Sequence, residues 1–176
     1  MNAPPPSRPT PGPGVPDPSP VGGIRRLGLE DGPCTLGLDR LVLGGIWTAE
    51  QWEQELTDPQ RLVLGWQQGE RLVGLASGWI VVDELHITAV AVHPDHRRQG
   101  IARRLLEALQ DLARDAGAER ATLEVSSANG AATALYSRLG FQEVAVRRHY
   151  YRNGDDALIQ WKTIAGRQPP VRGEPG

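Results

Sequence analysis

The sequence predicts an α/β fold: a mixed, mostly antiparallel central sheet of about seven strands, flanked by helices. Three observations predict it. Seven apolar runs of strand length are interleaved with helical segments in the order β-α-α-β-β-β-α-β-α-β-β. One segment, Gly100–Ala116, carries Leu105, Leu106, Leu109, Leu112, Ala113 and Ala116 at i, i+1, i+4, i+7, i+8 and i+11, a single apolar helix face. Finally, nine of the 15 prolines lie in residues 1–20 and three in the last twelve, which leaves a proline-poor body from Val21 to Ile164.

Each element has its own signal. Gly23–Leu27 reads as the first strand. Thr35–Leu43 has weak helical spacing. Thr48-Ala-Glu-Gln51 has the spacing of a capping box and opens a short helix to Leu56. Trp47 and Trp52 flank that helix, as core anchors or the edge of a groove. Arg61–Trp66 and Leu72–Val82 read as strands joined by a Gln-Gly-Glu-Arg hairpin turn. Leu85–Val92 ends almost continuously apolar, as a strand covered on both faces does. His93-Pro94-Asp95 breaks it. The long helix follows, with Gly117 as its C-cap. Then come strand Ala121–Ser126, a helix from Asn129 to Leu139 stopped by Gly140, and strands Glu143–Tyr150 and Ala157–Thr163.

The proline-rich ends lack apolar periodicity and have too little to bury to offset ordering entropy, so 1–20 and 165–176 are expected as disordered tails of one domain, 21–164. No apolar stretch suits a secretory signal, and none approaches the roughly 18 residues of a spanning helix. The single Cys34 allows no internal disulfide and suits a reducing cytoplasm. It falls in an expected loop with no adjacent base, against an acyl-cysteine route. His86, His93 and His96 come without cysteine neighbours, so no metal is expected. Net charge is −2, which gives nucleic acid no bulk attraction.

The chemistry sits at Arg97-Arg-Gln-Gly-Ile-Ala102, between the buried strand and the amphipathic helix. Glycine lets a ligand approach the backbone. The first helix amides have no internal partner and, with the macrodipole, attract an anion. Arg97, Arg98, Arg103 and Arg104 add positive field. Cations at a helix N-terminus oppose the dipole, so a solvated basic turn leaves the arrangement unexplained and a phosphate or pyrophosphate explains it. Neither the triphosphate P-loop pattern nor G-x-G-x-x-G is present.

R-x-x-G-x-A after a strand ending in AVAVHPDH resembles the [Q/R]-x-x-G-x-[G/A] signature of GCN5-related N-acetyltransferases (GNAT). The resemblance covers about residues 23–164. Ala134-Leu-Tyr-Ser-Arg-Leu-Gly-Phe141 is shared across that superfamily. Thr122-Leu-Glu-Val-Ser-Ser-Ala-Asn129, Arg147-Arg-His-Tyr-Tyr151 and Ile46-Trp-Thr-Ala-Glu-Gln-Trp52 resemble its ribosomal-protein-alanine branch. The resemblance implies a GNAT fold splayed at a cofactor cleft and acetyl-CoA as cosubstrate. Val90, Ala91 and Val92 would run along the pantetheine arm. Arg98, Gln99, Gly100, Ile101, Ala102 and Arg103 would surround the pyrophosphate. Asn129 would contact the cofactor, serve as a helix N-cap, or both.

Glu124 matches the general base and Tyr136 the general acid that protonates the leaving thiolate. Alternation sets Glu124 on the face opposite Leu123 and Val125, but does not separate a cleft from a solvent face. Tyr136 shares a helix face with Ala132 and Leu139, which also suits a core tyrosine. Tyr150 and Tyr151 match a pair near the peptide entrance, or pack at an edge. The segment Asp31–Leu43 departs from the family pattern, and Ala102 stands where the stricter motif has glycine. The implied acceptor is a protein or peptide N-terminus, that of a ribosomal protein, served by a cytoplasmic monomer without nucleic acid or membrane. A small amine, a lysine, or acyl-CoA binding without turnover are the alternatives.

Overall fold

The computed structural model describes residues 22–165. The expected tails, apart from Ala165, lie outside them. The elements are β1 (Gly23–Arg26), α1 (Gly32–Val42), α2 (Ala49–Thr57), β2 (Arg61–Gln68), β3 (Arg71–Val81), β4 (Glu84–Val92), α3 (Ile101–Asp115), β5 (Arg120–Ser126), α4 (Gly130–Arg138), β6 (Gln142–Arg147) and β7 (Ala157–Thr163). The strands form one sheet in the order β1-β2-β3-β4-β5-β7-β6. Every pairing is antiparallel except β4 with β5.

That exception shapes the molecule. β4 and β5 pair only over Glu84–Ile87 and Arg120–Leu123. From Thr88 and Glu124 onward the two strands no longer pair, and β4 is bonded on its β3 side alone. A parallel pair needs a crossover, here α3, whose apolar face lies on β2, β3 and β4. The helix approaches so closely that a Cβ on Gly74 would lie 2.9 Å from Ile101 and 3.1 Å from Leu105.

Two cores cover the two faces. Leu62, Leu64, Val73, Leu85, Leu105, Leu106, Leu109, Leu123 and Val125 pack on the α3 and α4 side. Leu27, Leu38, Trp52, Val63, Leu75, Ala89 and Ala91 pack under α1 and α2. The strand with continuous apolar character is therefore served by both cores: Ala89 and Ala91 join one, and Val90 and Val92 pack against the other.

Some expectations shift. α1 begins three residues before Thr35, with Pro33 at its start, where a missing N–H costs nothing. Cys34 is accordingly on a helix and exposed, not in a loop. Leu112 and Ala116 are exposed, while Ile101 and Gln110 take the buried face; the Gln110 amide donates to the Leu106 carbonyl, which satisfies it. β6 stops at Arg147 because His149 has φ of 51°, a turn conformation that ends the strand before Tyr150.

Candidate active site

Two cavities flank the opening between β4 and β5. The larger, about 860 Å³, is a groove between the N-terminus of α3 and α4. Val92, His96, Arg97, Arg98, Gly100, Ile101, Ala102 and Arg103 line one side, and Ala131, Ala134, Leu135 and Arg138 the other. Two residues in the left-handed region turn the loop into the helix: Arg98 at φ 59° and Gly100 at φ 76°. The arginine carries a backbone cost of about 1 kcal/mol there; the glycine does not. A Cβ on Gly100 would meet nothing within 4 Å, so its face opens outward. No side chain caps α3, which leaves its first amides free for a ligand.

The four arginines do not act together. Arg103 is tied to Glu107 at 2.9 Å, Arg97 Nε donates to the Val92 carbonyl at 3.4 Å, and Arg104 lies over the Trp66 ring on another side. Arg104 is not part of the groove lining, whereas Arg138 from α4 is. Gln99 and Asn129 do not line it either. Asn129 caps α4, its Oδ1 accepting the Ala132 N–H at 3.1 Å. Of its two readings the cap is the one the geometry contains.

β4 supplies a second binding element. The His93 N–H donates to the Val73 carbonyl across the β3 side. Backbone groups alternate in direction along a strand, so those of Val90 and Val92 face the gap beside β5. They are free to pair with an extended ligand arm there; the Val92 carbonyl already accepts Arg97. Ala91 points its backbone at β3 and its side chain into the α1/α2 core.

The second cavity, about 560 Å³, opens on the α1/α2 face. Trp47, Trp79, Glu84, His86, Ile87, Thr88, Glu124, Arg147, Tyr150 and Tyr151 are in its lining. Glu124 therefore faces a cleft, which alternation alone left open. Its Oε1 is bonded to Arg147 Nη1 at 2.9 Å. Trp47 is held at the rim by Asp39, a fully buried carboxylate that accepts the Ile46 and Trp47 N–H groups and the Trp52 indole N–H at 2.9, 3.2 and 2.8 Å.

Tyr136 is buried on the other side of the sheet, edge-on to Phe141 at 6.0 Å. Burial, and then the neighbouring Tyr151 phenol, push its pKa up to about 12. Tyr151 is raised as well, first by burial and then by the charge of Glu124. Tyr151 thus stands within electrostatic reach of both Glu124 and Tyr136. Among the described residues no cluster of three or more His, Cys, Asp or Glu could hold a metal ion, and no helix is long and apolar enough to cross a membrane.

The acetyltransferase (GNAT) family model matches residues 39–141. The chain belongs to this family. It is thereby an acetyl-CoA-dependent N-acetyltransferase, and the uncapped amides, open Gly100 and free strand edge fit that cosubstrate. A Bacillus subtilis relative, provisionally named a ribosomal protein bS18-alanine N-acetyltransferase, is 33% identical over 143 residues, covering 80% of this chain and 95% of its own. The Escherichia coli protein named for that activity is 42% identical over 95 residues, 52% of this chain and 64% of its own. The crystal structure of the E. coli ribosomal-protein-alanine N-acetyltransferase superposes with a TM-score of 0.77 at 31% identity, covering 85% of this chain and 98% of that one. Sequence reasoning missed Arg138, Arg147 and Asp39 as site residues of this GNAT chain. Arg138 and Asp39 read locally as ordinary helix residues, and nothing in the spacing links Arg147 to Glu124.

Proposed function

We propose that this acetyltransferase transfers the acetyl group of acetyl-CoA to the N-terminal α-amine of a protein, the alanine of a ribosomal protein, in the cytoplasm and by direct attack in a ternary complex. The observation that carries the reading is a pair of cavities on opposite faces of the sheet where β4 and β5 cease to pair, a groove at the uncapped N-terminus of α3 and a cleft that contains Glu124. The names of the B. subtilis and E. coli relatives support the acceptor.

In this mechanism Arg98, Gly100, Ile101 and Ala102 hold the pyrophosphate, with Arg103 and Arg138 beside it. Val90 and Val92 align the extended arm, and an N–H of this strand polarises the thioester carbonyl. Glu124 takes the proton of the attacking amine. The C–N bond forms as the C–S bond breaks. Tyr136 donates to the departing sulfur. At a pKa of about 12 it stays protonated through the working pH range, so the proton is in place when the sulfur departs. Holding both reactants at one opening accounts for much of the acceleration. The α-amine, with a pKa near 8, is partly neutral at pH 7 and suits a lone carboxylate base.

The test pairs purified protein and acetyl-CoA with peptides that begin with alanine, with N-blocked lysine peptides and with free polyamines. Acetylation concentrated on the alanine terminus is expected. Turnover of polyamines alone would reject the reading. Mass spectrometry of ribosomal-protein N-termini from cells with and without the protein then identifies the acceptor.

A further inference from the structure

Arg147 is the residue of the acceptor cleft whose place the acetyl-transfer chemistry does not explain. It ends β6, and Glu124 is on β5, with β7 between them. The register pairs Glu124 with Ile159 and Arg147 with Ala157, so the two side chains share one face of the sheet. Strands are spaced about 4.8 Å apart, so a contact across β7 needs a long side chain over a low floor. Ala157 supplies that floor, and the guanidinium reaches Glu124 Oε1 at 2.9 Å. Its other side is held by the Tyr150 ring, 5.6 Å from the guanidinium carbon. The guanidinium thus has two contacts, while more than half of the Arg147 side chain remains exposed.

This places a permanent cation beside the carboxylate on which the acceptor amine must arrive. The other charges lining the cleft do not offset it. Glu84, the other carboxylate of the lining, lies at the start of β4 opposite Arg120, four residues along β5 from Glu124. Asp155 and Asp156, in the β6–β7 connection, are outside the cleft lining: Asp155 accepts from the Ser126 hydroxyl at the end of β5 and from the Asn153 amide, and Asp156 from the His149 N–H. An ammonium entering beside Glu124 meets a like charge already bonded to the group it seeks. A neutral amine does not.

We propose that Arg147 is a specificity-determining residue that selects acceptor amines by charge, favouring a chain N-terminus over a lysine side chain. The proposal rests on the N-terminal acceptor reading. At pH 7 an α-amine of pKa near 8 is neutral in about one molecule in ten, and a lysine near 10.4 in fewer than about one in a thousand. A fixed cation at the point of entry turns that difference into discrimination. Without it, the carboxylate accepts a lysine ammonium directly and can remove its proton in place.

The experiment compares the full chain, Arg147→Met and Arg147→Lys on two peptides. One has a free N-terminal alanine and no lysine; the other is N-blocked with one internal lysine. For the wild type, kcat/KM favours the α-amine. In Arg147→Met, close in shape but neutral, that preference falls roughly tenfold, the scale of one like-charge contact at a half-exposed site. The change appears as a lower KM for the lysine peptide, while the KM for acetyl-CoA stays put and reports an intact fold. Arg147→Lys keeps the charge and restores most of the preference. An unaltered preference in Arg147→Met, including lysine acetylation that stays undetectable in both proteins, overturns the proposal. So does an equal loss in the Lys and Met variants, which would mark the guanidinium shape rather than its charge. A wild type that acetylates neither peptide rejects the acceptor reading beneath it, a distinct failure.

Discussion

At the scale of single residues, the proposed mechanism gives the base's part to Glu124 and the donor's part to Tyr136, on opposite faces of the sheet. Glu124→Gln keeps the shape and removes the base. Tyr136→Phe keeps the ring and removes the donor. Each is expected to lower kcat by about 10²–10⁴-fold and to leave acetyl-CoA affinity, read by calorimetry, near that of the wild type. Full activity in both would reject these roles. Tyr136 also has a stability signature. In the unfolded chain its phenol ionises near pH 10; in the folded chain burial holds the proton until about pH 12. Its contribution is therefore complete below pH 10 and is lost as pH rises toward 12. A two-unit shift corresponds to roughly 2–3 kcal/mol over that window. Urea denaturation at pH 9 and pH 11.5 should show a steeper alkaline loss for the wild type than for Tyr136→Phe.

Among the elements, the connection from α1 to α2 is the one most dependent on a single group. Asp39 of α1 accepts three N–H donors, two from the loop that ends at Trp47 and one from the buried indole of Trp52. Replacement by alanine leaves three donors without a partner in a dry site. The expected cost is about 3 kcal/mol of stability, seen as a lower urea midpoint. Because Trp47 edges the cleft proposed for the acceptor, the variant that remains folded should also have a raised KM for the acceptor peptide and an unchanged KM for acetyl-CoA. The capping box at Thr48–Gln51 was legible, since both hydrogen bonds lie within one turn: the Thr48 hydroxyl accepts the Gln51 N–H, and the Gln51 side chain accepts the Thr48 N–H. The Asp39 anchor was not. Its partners are seven, eight and thirteen residues away and include two backbone groups, which no residue pattern marks.

For the whole molecule, the proline-poor body and the acetyltransferase resemblance nearly coincide. A chain of residues 21–165 is expected to keep acetyl-CoA turnover, since the groove, the cleft and both cores are assembled from residues between 22 and 165. A loss of more than about tenfold in kcat/KM in that shortened chain would assign the ends a part in the chemistry.

Local chemistry determined what the sequence could determine alone. Strand alternation, the 3.6-residue apolar face of α3, the capping box and the R-x-x-G-x-A turn each depend on neighbours a few residues apart. They identified the element order and the family, and pointed to the N-terminus of α3 as the place for a phosphate. The tertiary structure decided three things that depend on distant segments. It opened the sheet at the point where β4 and β5 cease to pair, which turned Glu124 from a strand carboxylate into a cleft residue. It dispersed the arginine cluster, sending Arg104 to Trp66 and bringing Arg138 from α4 in its place. And it laid Arg147 across β7 onto Glu124. The physical reason is common to all three: pairing between distant strands sets which side chains meet, and that registry is a property of the assembled sheet rather than of any one segment.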